Sequence, residues 1–587
     1  MYPIFNKYFS PKALELAFYR VKCWNDKLVK DQVGLRAFGA DLENNCLNLS
    51  NKLLEGKYKP QRGFKFYVPK SSLTNRTKTL LYVEDALVYQ AIANQLAFEN
   101  YNKLHEHHSF VFGSVLSPEN KLGLEILEKP EPNFFFFKFW KNLFATFKES
   151  IIHSVEVDKA KFKFETDITG FFDCIPHYNL MMVLSEQFGV EDEILDMLSE
   201  CLNIWSGTKD SITPGVGIPQ GAEPSFLLAN LLLHQLDELI ISNGFKYYRY
   251  MDDIKIYGYE KQELVTALVL IDKHLKGCGL SINSKKTSIE AINEDMEDAT
   301  VKELKKLDTF AQYLYDEEGL EVVDTFTLDD IDNDKNTDKH SPTFKELEKA
   351  SGLVEQESQS FLEIKIDERL TEEADIINFL EEQLAQVDKE LPLLFKDASL
   401  ELDNLEVAEE KTDIDFIRLS AQFGTNFKKI KEYKPKYVAN EKLLKYWLFS
   451  YKKFFWRANN FGLSLAHYRN NAQIKSFLLN LIQNDFTHYE WSRYMAIQTL
   501  SISHVFDDKE LRQTYFKMLQ KDESDLVKVS LYRLLYRHAK SKQFTSTLNK
   551  QLQKESNWYL KVLITDFNKN QKNEDVDIVE FINSIGL

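Results

Sequence analysis

The chain has 587 residues, an ordinary hydrophobic share of 44% and a formal charge of −17, which is enough length for more than one domain. No apolar run is long enough to span a bilayer, and the start, MYPIFNKYFS, lacks a signal-peptide layout. Five scattered cysteines without a CxxC argue against a disulfide framework or a cysteine zinc site, so a cytoplasmic protein with reduced thiols is expected. The charge is uneven: residues 290–415 hold 39 acids and 12 bases, whereas residues 416–587 hold 28 bases and 16 acids. The acidity is therefore one block, and the last segment is basic enough to meet phosphates.

Residues 1–60 show helical apolar spacing, as in Leu14, Phe18, Val21 and Trp24. Residues 58–96 read as a strand, a polar loop, a second strand and a helix starting near Val83, with Lys70 and Arg76 flanking the loop Ser71–Asn75. The tract HEHHSFVFG places His105, His107 and His108 close together. Histidine-rich tracts can bind metals, but a structural role is the expectation for this one. Residues 116–155 look like an insertion, and their apolar run Phe134–Trp140 is expected to be a docked helix rather than a membrane contact.

The segment Phe162–Cys174, FKFETDITGFFDC, alternates Phe162, Phe164 and Thr166 with Lys163, Glu165 and Asp167, which predicts a strand delivering Asp167 at its end. Residues 214–230, PGVGIPQGAEPSFLLAN, run from a glycine-rich loop into a helix starting near Pro224 or Ser225. Two aromatic and β-branched runs in Phe245–Tyr259, FKYYRYMDDIKIYGY, flank Asp252 and Asp253. They predict a tight hairpin with Met251 and Asp252 in its turn. Adjacent acids are ordinary in a solvated turn. On a mostly buried hairpin, unpaired carboxylates are expensive, and a cation is their natural partner. A strand-end carboxylate meeting such a pair would make a two-metal site suited to phosphoryl transfer. A helix over Leu264–Lys276 and the segment Gly279–Thr287, GLSINSKKT, follow.

The YMDD box at Tyr250–Asp253, with Asp167 85 residues before Asp252 and PQGAEPS between them, resembles the palm of a reverse transcriptase. The resemblance implies an α+β reverse-transcriptase fingers and palm. It makes Asp167, Asp252 and Asp253 the catalytic ligands of two Mg²⁺ ions, with Mn²⁺ as a substitute, and lets the backbone carbonyl of Ile168 complete the second site. Lys70 and Arg76 would hold the incoming triphosphate. Phe172 would exclude a ribose 2′-hydroxyl, although Phe171 and Phe172 could equally be core. Gln220 and Gly221 would meet the nucleotide and the template–primer. Lys286 would stand near the leaving pyrophosphate as a general acid, with an ordinary surface lysine as the alternative. Ser109, Phe110 and Gly113 match the segment that lines the fingers–palm junction.

Beyond residue 290 the family pattern breaks. Residues 328–344 lack periodicity and read as a flexible loop, residues 367–392 read as an amphipathic helix, and the acidic block is expected to be a solvated surface. Successive stretches, Lys442–Trp456, Ile474–Asn484, Glu490–Ile502, Lys509–Leu519, Leu526–Lys540 and Trp558–Phe567, have helical spacing. They predict an all-α, helical-repeat-like C-terminal domain without a strict period. The expected division is 1–115 N-terminal helices and fingers, 116–155 insertion, 156–290 palm, 291–415 acidic linker replacing a thumb, and 416–587 helical domain. With no recognisable endonuclease, integrase, RNase H or maturase-like motif, this layout resembles bacterial defence-associated reverse transcriptases of the unknown-group, abortive-infection type. That resemblance implies dNTP substrates and a DNA product that can be covalently attached to the protein. It also implies synthesis that can dispense with a template, a homo-oligomer and no membrane. The alternatives are a retron-like enzyme copying a dedicated non-coding RNA and a non-catalytic phage-sensing scaffold.

Overall fold

The computed structural model describes residues 3–292, apart from 27–28, 70–74 and 208–212, and most helical positions from 472 to 565 with scattered ones from 444 to 471. The expected loop over 328–344, the helix over 367–392 and Lys70 lie outside the described residues, and the stretches 442–456 and 558–567 are described only in part. The chain divides into two compact units. One holds the described residues up to 65 and from 77 to 292; the other holds 66–69, 75–76 and the described residues from 444 onward.

The first unit begins with α1 (Pro3–Phe9), α2 (Pro11–Lys22), α3 (Gln32–Gly39) and α4 (Leu42–Leu54). Pro11 sits in the first turn of α2, and the Ser10 hydroxyl accepts from Ala13 N, which caps the helix. The predicted stripe is the buried one: Leu14, Phe18, Val21 and Trp24 are each at most 4% exposed. Strands β1 (Phe64–Pro69) and β2 (Asn75–Leu80) form a two-stranded hairpin, and α5 (Val83–His105) follows from the residue expected. α5 is buried on nearly all sides, because α2 and the 3₁₀ segment Pro118–Glu128 pack against it.

The run Phe134–Trp140 is docked but is not a helix. Phe134 and Phe136 are each 1% exposed, while Phe135 and Phe137 are half-buried, a period of two that belongs to extended chain. Its backbone is tied down: Lys138 N donates to Val115 O at 2.8 Å, Ser117 N to Phe136 O at 3.0 Å, and Phe137 bridges Leu116. The helix α6 starts only at Trp140 and runs to Glu156.

A four-stranded sheet in the order β4-β5-β3-β6 then forms from β3 (Phe162–Asp167), β4 (Lys246–Tyr250), β5 (Asp253–Gly258) and β6 (Ser288–Ala291), with the pairs antiparallel. Between β3 and β4 lie α7 (Phe171–Cys174), α8 (His177–Phe188), α9 (Asp192–Trp205) and α10 (Glu223–Ser242); α11 (Lys261–Gly277) precedes β6. Strand alternation separates the faces of β4. Tyr247 donates its hydroxyl to Asp237 of α10 at 2.7 Å, whereas the Tyr248 hydroxyl meets Ser154 of α6 at 2.8 Å. α11 lays Leu264, Ala267, Ile271 and Leu275 over β3 and β5.

In the second unit, helices run over Ala472–Gln483, Glu490–Ser503, Lys509–Lys521, Asp525–Arg537 and Lys542–Lys554. Four match the expected stretches. The last was missed because its apolar signal is thin; Leu548 and Leu552, four residues apart, carry its buried side. These helices share one core around Ile497, Tyr515, Leu531 and Leu535, all fully buried. Polar ties join them: Arg493 clasps Asp522 through two bonds of 2.9 and 3.0 Å, and Glu490 accepts from the Ser524 hydroxyl and, at 2.5 Å, from Tyr67 N. No helix among the described residues is long and apolar enough to cross a membrane.

Candidate active site

Strand register brings the carboxylates together. Asp167, the last residue of β3, stands opposite Asp253, the first of β5, and Tyr250 closes β4 opposite the same residue. Met251 and Asp252 are left as a two-residue turn, as the sequence predicts. Met251 takes φ +52, a conformation that costs a non-glycine residue about 1–3 kcal/mol and persists where surrounding contacts hold it. Asp167 is 8% exposed, and Asp252 and Asp253 are half-buried. Burial first, then the Asp167 charge and a hydrogen bond shared with Asp167, pushes the Asp252 carboxyl up to about 7. Lys286 Nζ lies 3.0 Å from Asp167 Oδ2, and Lys255 Nζ lies 3.7 Å from Asp253 Oδ2 and 3.0 Å from Glu165 Oε1. The chain leaving β3 is held straight: Asn283 N donates to Asp167 O at 2.7 Å, Ile168 bridges Ile282, and Thr169 N donates to Ser281 O at 2.9 Å.

The turn has a buttress that sequence reasoning missed. Arg249, fully buried, grips Asp237 of α10 through Nε at 2.8 Å and Nη2 at 2.6 Å. Its Nη1 donates to Asn230 Oδ1 at 3.0 Å and to Met251 O at 2.8 Å, so one guanidinium ties the turn to α10. The available signal was an arginine on the buried phase of a strand, beside Tyr247, which demands a buried acid. Gly113 backs the turn from the other direction. Arg249 N donates to Phe110 O and Phe112 N to Arg249 O, each at 2.8 Å, and Asn230 Nδ2 donates to Gly113 O at 3.0 Å. A Cβ at Gly113 would fall 2.4 Å from Met251 N, a backbone atom that cannot swing aside. Gly113→Ala is therefore expected to lower the polymerisation rate by roughly 10²-fold, the cost of a misplacement near 1 Å, while leaving the circular dichroism spectrum unchanged.

The other expected residues divide. The loop before α10 is clamped: Ile218 N donates to Phe172 O at 2.9 Å, Thr79 N to Gln220 O at 3.3 Å, and the Ser225 hydroxyl to Pro219 O at 2.5 Å. Gly221 has φ +106, and a Cβ there would lie 2.6 Å from Val29 Cγ1, so both backbone and space require glycine. Phe172 and Phe171 are both buried and meet edge to face, with Phe172 also against Phe226. Arg76, at the start of β2, belongs to the second unit, and its Nη1 is buried with no hydrogen-bond partner among the described residues.

Residues 126–323 match the family described as reverse transcriptase (RNA-dependent DNA polymerase). The chain carries a reverse transcriptase domain. It is an α+β domain and a nucleotidyltransferase, followed by a helical C-terminal region. Polymerases of the reverse transcriptase family use divalent metals and act on nucleotides and nucleic acids. An uncharacterized 91 kDa protein in a cob intron of Schizosaccharomyces pombe is 39% identical over 77 residues, covering 13% of this chain and 9% of that relative. Telomerase from Candida albicans, in complex with a fragment of telomeric RNA, overlays 85% of this chain and 65% of its own at 11% identity and TM-score 0.30. Apo telomerase from Candida tropicalis overlays 46% of this chain and 53% of its own at 12% identity and TM-score 0.28. Structural likenesses of that size carry no weight beside the reverse transcriptase match.

Proposed function

We propose that this protein is a DNA polymerase that joins deoxynucleotides by two-cation chemistry. The observation that carries this is the convergence of Asp167, Asp252 and Asp253 at one end of the two central strands, with the Asp252 carboxyl pushed up to about 7 by burial and by its neighbour. Carboxylates crowded in this way fit a divalent pair, which would relieve their repulsion. Asp167, Asp252, Asp253 and the carbonyl of Ile168 would hold the ions. When bound, two Mg²⁺ or Mn²⁺ ions would activate the attacking hydroxyl and neutralise the pyrophosphate leaving the α-phosphorus. Lys286, 3.0 Å from Asp167, supplies a positive charge at the site and, once a cation takes over that carboxylate, a proton donor for the leaving group. Gln220 and Gly221 present the nucleotide-facing loop, and the Phe172 ring sets the sugar preference by exclusion. The family resemblance assigns the triphosphate to Lys70 and Arg76.

The finer reading is antiphage defence of the abortive-infection type, with a homo-oligomer that primes DNA from a protein hydroxyl without a template. It is supported by the resemblance of the layout, a reverse transcriptase domain followed by a helical C-terminal region. The test is incubation of purified protein with Mg²⁺ and labelled dNTPs, with and without a defined RNA template–primer. DNA that forms without template and stays with the protein until proteolysis is the expected result. Incorporation only with added RNA would leave the polymerase and overturn template independence. No incorporation under either condition, from well-folded protein, would overturn the polymerase itself.

A further inference from the structure

The histidine tract has a partner that no local pattern reveals. Of its members, His105 stacks on Tyr101 and His108 Nδ1 meets His105 O at 2.7 Å. His107 instead meets α10, where His234 and Glu238 lie one turn apart on one face. The ring centroids of His107 and His234 are 4.9 Å apart, and one ligand atom from each of His107, His234 and Glu238 lies within 4.8 Å of the other two. His234 is 2% exposed. The Nε2 atoms of both histidines are buried without a hydrogen bond, although Glu238 Oε1 approaches His234 Nε2 to 3.2 Å. Two buried imidazole nitrogens left unsatisfied beside a carboxylate are costly unless something fills the space between them.

We propose that His107, His234 and Glu238 bind one divalent transition-metal cation, Zn²⁺ foremost, which staples the turn after α5 to α10. Two imidazoles and one carboxylate are a nitrogen-rich donor set that suits Zn²⁺ and disfavours Mg²⁺, which takes oxygen ligands. Tetrahedral ligands at zinc bond lengths stand roughly 3.4 Å apart, so the three side chains close on the ion with small rotations. The neighbouring cation, Lys103, is engaged elsewhere: its Nζ donates to Gln187 O at 3.1 Å and lies over the Phe188 ring. The fourth position is left to water. The staple bears on the turn that leads into the buttress, because His107 O accepts from Phe110 N at 2.9 Å and Val111 N at 2.8 Å. Phe110 and Phe112 then flank Arg249, and Gly113 abuts Met251.

The test is Zn²⁺ titration of the chelator-stripped full chain in excess Mg²⁺, which keeps the aspartate site occupied, read by metal content after desalting and by thermal melting. The expected result is one equivalent of Zn²⁺ and a rise in melting temperature. Glu238→Gln, at an exposed position, should weaken binding at least about tenfold, and His107→Ala should abolish it. Both variants should melt like the wild type in chelator. Co²⁺ should give a visible absorption band that both variants lose. Absence of bound Zn²⁺ in the wild type, or equal binding and an equal melting shift in both variants, would overturn the site.

Discussion

Asp252→Asn should reduce DNA synthesis by at least about 10³-fold, equivalent to about 4 kcal/mol of transition-state stabilisation, and in the same preparation should raise the melting temperature in chelator at pH 8. The two effects have one origin. The folded state holds the Asp252 carboxyl at about 7, above its ordinary value of 3.8, through burial and the nearby Asp167. A group raised in this way binds more protons folded than unfolded, so stability falls as pH rises from about 4 and the full penalty is present above about 7. The amide carries no charge and escapes that penalty. Its melting advantage over the wild type should shrink as pH falls toward 4, and should also shrink when Mg²⁺ is added to the wild type. A variant that kept its polymerase rate would remove Asp252 from the chemistry. A variant that melted lower than the wild type at pH 8 would mean that the carboxylate is stabilised by something other than a cation.

Arg249→Met should destabilise the fold by about 3–5 kcal/mol, because Asp237 is left charged, buried and without its bidentate partner. The double variant Arg249→Met with Asp237→Leu should regain part of that loss, since replacing both members of a buried pair by apolar side chains is often close to neutral, although the buried Tyr247 hydroxyl then loses its acceptor. Activity should not return with stability. Met251 O would still lack its donor, and the turn carrying Asp252 would still be free to shift. Denaturant melts and rates measured across this double-mutant cycle separate the two roles. If rate recovers in step with stability, Arg249 contributes only to the fold.

The parts of the site that were legible in sequence are those set by local periodicity and turn chemistry. Phe162 to Asp167 alternates as a strand must, and Met251 and Asp252 fall between two β-forming runs, so the hairpin and its acids could be read directly. The start of α10 was read one or two residues late, since Glu223 precedes the proline of the first turn. The apolar run at Phe134 misled because unbroken hydrophobicity hides its period. Only the burial of Phe134 and Phe136, with Phe135 less buried, reveals extended chain. Arg249, Asp237 and Asn230 escaped notice for a different reason. Their pairing spans 12 and 19 residues and joins a strand to a helix, a relation that no single period encodes. His107 was visible, but its partners lie more than a hundred residues away on α10.

One helix thus braces two parts of the candidate site, the glycine-rich loop and the aspartate hairpin. At its first turn Ser225 secures the loop bearing Gln220 and Gly221, and three turns later Asp237 secures the aspartate hairpin. With a rise of about 1.5 Å per residue, those anchor points are about 18 Å apart, and a helix is nearly inextensible. α10 therefore acts as a measuring rod, with the loop at Gln220 and the hairpin that carries Asp252 set at a fixed interval. On the proposed function, a shift of the hairpin along this rod would carry the glycine-rich loop with it.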